Sequence, residues 1–300
     1  MNGTQHDDDS RFISRHRGDV YALLLSVLEG LFPVFTLVTV AAFGALHAYF
    51  YTILLATTVL LALIGWRGEL TALFDRGARL DLLLTSLFIT SLFVLIFIAL
   101  RYTTAGNVAV ILVLQLLFSY LYFNVIGRER MSLAHSIGAA LMGVGAIVVL
   151  FPEEFRLNGG DALALGAAAI APIANYFQQR ARRRVSSIVV LGFRNIVALP
   201  VLWLLALMLE PAANLFGDYP ALLLLVGNAL LIFVVAKVLW VEALNHISIT
   251  RLSAMASFIP VFTLLFAWVL LGEVPQLRQV LGVMPVILGA WLMTRPSVIT

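Results

Sequence analysis

Ten apolar runs, each about the length that crosses a bilayer, fill this sequence and leave only short connections between them. They lie near residues 20–41, 46–65, 81–100, 105–126, 132–151, 161–180, 187–208, 219–242, 250–271 and 277–294. A spanning helix needs about 20 mostly apolar residues. Ten of them in a chain of 300 residues leave no space for a sizeable soluble domain. Composition agrees: 62% of residues are apolar and 12% charged, against roughly 45–50% and about 25% in ordinary soluble domains. A soluble fold of this make-up would expose large apolar patches and aggregate. The chain therefore reads as an all-α integral membrane protein with ten transmembrane helices.

The basic residues set the orientation. Of 19 lysines and arginines, Lys237 is the one lysine. With the N-terminus placed in the cytoplasm, the inside segments hold Arg11, Arg15, Arg17, Arg67, Arg76, Arg79, Arg128, Arg130, Arg180, Arg182, Arg183, Arg184, Arg251 and Arg295. The outside loops hold Arg101, Arg156 and Arg278. Positive charge favours the cytoplasmic face, so this asymmetry predicts ten spans with both termini cytoplasmic. The arginine bias fits a GC-rich bacterial genome and hence a multi-pass protein of the cell inner membrane. The polar stretch 1–18 reads as a poorly ordered cytoplasmic segment. Prolines 33, 172, 200, 260 and 285 fall inside the apolar runs and predict kinks. There is no cysteine, and the five histidines show no metal-ligand spacing, so neither a metal nor a cofactor is expected.

The chain also repeats itself. Shifted by 144 residues, Ala99, Leu100, Phe118, Leu121, Val125, Glu129, Leu133, Gly138, Gly145 and Ala146 meet identical residues at Ala243, Leu244, Phe262, Leu265, Val269, Glu273, Leu277, Gly282, Gly289 and Ala290. The units are predicted at 19–151 and 152–300. Five spans per unit is an odd number, so the second copy is inverted relative to the first. Inverted repeats with a site at their interface recur in secondary transporters. Glu129 and Glu273, which follow the fourth helix of each unit, read as caps or loop anchors. The Gly138–Gly145 and Gly282–Gly289 pairs, two turns apart, predict close helix packing.

The stretch Tyr102-Thr-Thr-Ala-Gly-Asn-Val-Ala-Val-Ile, then Gly127-Arg-Glu-Arg and the glycines from Gly138, resembles the EamA-type drug/metabolite transporters. So does the second half, with Pro260-Val-Phe-Thr, Leu271-Gly-Glu and Gly282 in order. The resemblance covers nearly the whole chain. It implies ten helices around a central cavity lined mainly by helices 1, 3, 4, 6, 8 and 9. The chain departs from the pattern at three places. Leu116 stands where the second copy has Pro260, Glu29-Gly30 falls where the family often has Trp-Gly, and Lys237 is an unusual charge in helix 8.

Polar groups inside the spans are the site candidates, because an ionisable residue at membrane depth is costly and faces protein or water. Glu29 in helix 1 is the candidate proton-coupling group. Lys237 in helix 8 is a candidate to bind a substrate carboxylate or phosphate, or alternatively to neutralise Glu29. Trp240 shares its face and offers a surface for a planar substrate. Asn175 in helix 6, Gln115 in helix 4 and Tyr120 complete the predicted substrate-binding set. Arg194 in helix 7 reads as a residue that snorkels to the cytoplasmic interface or caps neighbouring carbonyls, with a binding role as the alternative, and the Arg180–Arg184 cluster as a topology anchor.

These features predict a secondary active transporter for a small organic metabolite, amino-acid-like and anionic or zwitterionic. It would work by alternating access, with proton-coupled export as the form considered. A polytopic membrane enzyme and a passive channel are the alternatives. The expected partners are a small-molecule substrate and the lipid bilayer, not nucleic acid, with the protein a monomer or homodimer.

Overall fold

The computed structural model describes residues 3–122, 133–150, 158–215, 217–246, 252 and 255–293. Among these, all regular structure is helical. Helix α1 spans Gly3–Phe43 and α2 spans Ala45–Trp66; a short 3₁₀ turn, Leu70–Phe74, precedes α3 at Arg79–Ala99. Helix α4 runs in two pieces, Ala105–Val113 and Gln115–Tyr120, and α5 is Leu133–Leu150. In the second half α6 is Gly159–Arg182 and α7 is Ser187–Leu209. Helix α8 joins Tyr219–Gly227, a π-helical stretch Asn228–Ala236, and Lys237–His246. Helix α9 joins Ile259–Phe266 to a π-helical turn Ala267–Leu271, and α10 is Leu277–Met293. Arg128, Glu129, Arg130, Arg156, Arg251 and Arg295 lie outside the described residues.

Local chemistry starts these helices where the apolar runs begin. Thr104 caps α4 by accepting from the Asn107 amide, Asn158 caps α6 through Gly160, and Ser186 caps α7 through Val189. Asp218 caps α8 through Ala221, with Pro220 in the first turn. Such side chains satisfy orphan amides that lipid would leave unbonded. One boundary differs from expectation. Helix α1 extends back through the polar N-terminal stretch to Gly3; no proline interrupts that stretch, and extending a formed helix is easier than starting one.

Five helices are long and apolar enough to cross a membrane by length and composition: the 18–43 part of α1, then α2, α3, α7 and the Tyr219–Ala243 part of α8. The apolar composition faces both ways. Leu60, Phe97, Phe233 and Val286 are buried, while Trp203, Leu207, Met208, Trp268 and Met284 stand exposed on the outer surface. This is the apolar exterior that a bilayer solvates.

The two halves pack with a pseudo-two-fold relation. Helix α1 lies against α8 and α9, as α6 lies against α3 and α4, while α2 packs on α7 and α5 on α10. The α5–α10 crossing shows the symmetry atom by atom. A Cβ placed on Gly145 would stand 2.6 Å from the Gly282 carbonyl oxygen, and one on Gly289 would stand 2.5 Å from the Gly138 carbonyl oxygen. The 144-residue shift exchanges Gly138 with Gly282 and Gly145 with Gly289, so it turns one contact into the other.

A second symmetric feature was not foreseen. Helix α4 breaks at Leu114, whose amide bonds to the Ile111 carbonyl at 3.0 Å. The chain turns again at Phe258, just before α9, where the Phe258 amide bonds to the Met255 carbonyl at 3.2 Å. Phe258 and Met255 are the repeat partners of Leu114 and Ile111. The tighter i→i+3 bond recurs in both halves, and such mid-helix turns often mark hinges.

Candidate functional site

The two breaks face one cavity of about 640 Å³ between the halves. Leu112, Val113 and Gln115 line it from α4, and their repeat partners Ala256, Ser257 and Ile259 line it from the other half. Helix α1 adds Glu29, Phe32 and Pro33; α6 adds Pro172, Asn175, Tyr176, Gln178 and Gln179; α8 adds Trp240 and Val241. Each half thus sends its first helix to the wall with a proline. A proline leaves the carbonyl four residues earlier without its helical donor; for Pro33 that carbonyl belongs to Glu29. The volume falls in the roughly 300–1,000 Å³ range of small-molecule sites.

At one end the cavity runs to Arg182 and the exposed Arg183. Arg180 beside them pairs with Asp81 of α3 at 3.2 Å. At the other end aromatic rings form a floor. Phe32 meets Phe93 edge-on with ring centres 5.7 Å apart, and Phe93 meets Phe233 at 4.9 Å. Tyr49 packs on Phe97 at 4.7 Å.

Beyond the floor, hydrogen bonds stitch the halves together. Glu210, at the end of α7, accepts from the amides of Ala45, Leu46 and His47 at 2.8–3.1 Å, capping α2 from the opposite half. It also meets His47 Nδ1 at 3.1 Å and Arg101 at 3.3 Å. Gly44 permits this approach: its φ is +86°, and a Cβ there would sit 2.6 Å from the Glu210 carboxylate. Asp161 of α6 accepts from Thr103 and Asn107, and Gln279 of α10 donates to Thr104 at 3.2 Å and to Asn107 Oδ1 at 2.9 Å. Every one of these bonds crosses from the first half to the second.

The structure brings four of the six sequence candidates to the cavity wall: Glu29, Gln115, Asn175 and Trp240. Lys237 is not on the wall. Its Nζ donates to Glu29 Oε1 at 2.5 Å and lies 5.4 Å from the centre of the Phe93 ring. The side chains are 18% and 12% exposed. Of the two roles open to Lys237, the geometry realises neutralisation of Glu29. The π-helical stretch that ends at Ala236 alters the rotation of the residues after it and sets the register in which Lys237 meets α1.

Tyr120 also lies off the wall. It is buried against the His135 ring with centres 5.9 Å apart, and its hydroxyl has no hydrogen-bond partner among the described residues. Ser119, four residues after Gln115 in the same piece of α4, shares its face and reaches the cavity, while Tyr120, five residues after it, lies about 140° away.

Arg194 overturns its expectation. It is 4% exposed and does not reach an interface. Its guanidinium donates to Gln178 Oε1 and Asn195 Oδ1, both at 3.4 Å. Helix α3, expected to line the cavity, contributes no wall residue and instead supplies Phe93 beneath Lys237. Tyr176 and Ser257 also reach the wall, as do Arg182 and Arg183. The arginine run was visible in the sequence, but as a topology signal only.

Ten helices in two inverted five-helix repeats, enclosing a cavity between them, define the architecture of a multi-pass membrane transporter. The sequence profile of the EamA-like transporter family matches residues 16–151 and again 158–295. The chain belongs to that family. It is 24% identical over 277 residues to a protein of Archaeoglobus fulgidus named as an uncharacterized transporter, covering 91% of this chain and 95% of the relative. A Methanothermobacter thermautotrophicus protein of the same description is 25% identical over 269 residues, 85% of this chain and 77% of its own. The Bacillus subtilis uncharacterized transporter YoaV is 22% identical over 198 residues, 65% of this chain and 68% of its own. A solved crystal structure shares the fold, with a TM-score of 0.69 at 19% identity over 93% of this chain and 96% of that one.

Proposed function

We propose that this protein is a secondary active transporter of a small, amino-acid-like metabolite, anionic or zwitterionic, which it moves across the inner membrane by alternating access. The observation that carries this is the cavity at the interface of the two halves, reaching the surface at Arg183 and closed at the Glu210 end by bonds that all cross between halves. Two pseudo-equivalent halves can rock about such a site and expose it to each side in turn.

The positive-inside distribution supports placing Arg183, both termini and the open end in the cytoplasm. In that orientation this conformation accepts substrate from the cytoplasm, as an exporter does. The polar wall of Gln115, Ser119, Asn175, Gln178 and Gln179 supplies amide and hydroxyl groups to a polar substrate, and Trp240 and Tyr176 supply flat surfaces. Glu29 is the coupling group in this scheme. A proton reaching its carboxylate would release Lys237, and in this way protonation of the wall would be linked to a movement between α1 and α8.

Counterflow in proteoliposomes tests the proposal. Purified protein is loaded with one unlabelled metabolite at a time from an amino-acid and carboxylate library and given a labelled trace of the same compound outside. Saturable, transient accumulation of the label is the expected result. Linear, unsaturable flux would establish a channel, and conversion of the compound without a gradient would establish an enzyme.

A further inference from the structure

Arg194 and Asn195 form a buried group of hydrogen-bond donors in need of an acceptor. A guanidinium carries five N–H donors and is always charged. The structure supplies Arg194 with two acceptors, both neutral amide oxygens and both at 3.4 Å. Among the described residues no carboxylate lies within 4.0 Å of it. Glu29 acts on it only from farther away and is already held by Lys237 at 2.5 Å. The neighbouring Asn195 is 1% exposed, and its amide nitrogen has no hydrogen-bond partner among the described residues. An isolated buried cation is costly unless a counter-charge accompanies it.

Gln178 connects this group to the cavity. Its side chain lines the wall, while its Oε1 accepts from Arg194. With the oxygen committed to Arg194, the NH₂ is the group left to the cavity. Glu29 and Lys237 cancel, so the charge that remains at this depth is that of Arg194, and Arg182 and Arg183 add two cations at the mouth.

We propose that Arg194, presenting Gln178 to the cavity, forms the anion-recognising side of the site, and that the missing counter-charge is a carboxylate on the substrate. Lys237, the residue first expected in this role, is instead the internal partner of Glu29. The inference relies on the transporter proposal only for treating the cavity as the substrate site.

The test is thermal unfolding of the detergent-purified protein with acetate, benzoate, 4-methylpentanoate, leucine and phenylalanine, each compared with its primary amide. At least one carboxylate should raise the unfolding temperature where its amide does not. Arg194→Gln should weaken that compound about 10- to 100-fold, the scale of losing a unit charge a few ångströms beyond Gln178 at an effective dielectric of about 20. Should Arg194→Gln fail to fold, Gln178→Glu decides. It gives Arg194 a carboxylate within the protein, so it should raise the unfolding temperature without ligand and abolish the carboxylate effect. The proposal is overturned if no carboxylate stabilises the protein, if the amides work equally well, or if Gln178→Glu binds the carboxylate as the wild type does. Counterflow separates this from the transporter proposal. A carboxylate that binds without flux overturns transport and keeps the anion site; flux indifferent to the carboxylate does the reverse.

Discussion

Glu29 Oε1 accepts a hydrogen bond from Lys237 Nζ at 2.5 Å, joining α1 to α8 across 208 residues of sequence. The two ionisable groups that most departed from the expected family pattern are thus partners. Their proximity accounts for how each is tolerated at membrane depth, since a buried charge that loses its partner costs about 3–5 kcal/mol.

Removing either member alone should therefore lower stability more than removing both. Glu29→Gln and Lys237→Met are each expected to lower the unfolding temperature in detergent, and the double variant should recover part of the loss. The double-mutant cycle measures the coupling directly. Additive losses would mean that the two side chains do not interact.

The same pair bears on coupling. With Glu29→Gln in proteoliposomes, an imposed pH gradient should no longer drive net uptake, while exchange of substrate persists. A wild-type response to the gradient in that variant would exclude Glu29 as the coupling group.

Glycine positions at the α5–α10 crossing separate packing from helix propensity. Gly145→Ala and Gly289→Ala each force a methyl group against a carbonyl oxygen of the facing helix, and should destabilise by about 1–3 kcal/mol, the usual cost of overpacking. Gly143 lies on the same helix, and a Cβ there would meet nothing within 4 Å. Gly143→Ala should be neutral or stabilising by up to about 1 kcal/mol from helix propensity. Equal effects at the three positions, read by thermal unfolding, would contradict the close crossing.

Glu210 should hold the far end shut. With no native cysteine in the chain, an Asn175→Cys reporter in the cavity can be labelled with a membrane-impermeant maleimide from either face. Labelling is expected from the Arg183 side alone. Glu210→Ala strips the acceptor from three α2 amides and should add labelling from the opposite face, and Gly44→Ala should act in the same direction by displacing the carboxylate. Unchanged one-sided labelling in both variants would show that the seam does not control access.

The ten helices and the repeat were legible in the sequence because hydropathy, caps and glycine spacing are written locally along the chain. So was the fact that Glu29, Gln115, Asn175 and Trp240 are polar or amphipathic groups placed deep in apolar runs. The tertiary structure alone decided which of them meet. Lys237 leaves the wall for Glu29, because a helical wheel assumes an unbroken 100° step and the π-helical stretch Asn228–Ala236 resets it. Tyr120 lies about 140° from Gln115 on the same helix piece, so the wall takes Ser119, four residues on. Arg194 stays buried rather than snorkelling because its neighbours α2 and α6 close over it. The rotation of a helix about its own axis is set by what packs on it, and that information lies in the partner helices, more than a hundred residues away for Glu29 and Lys237.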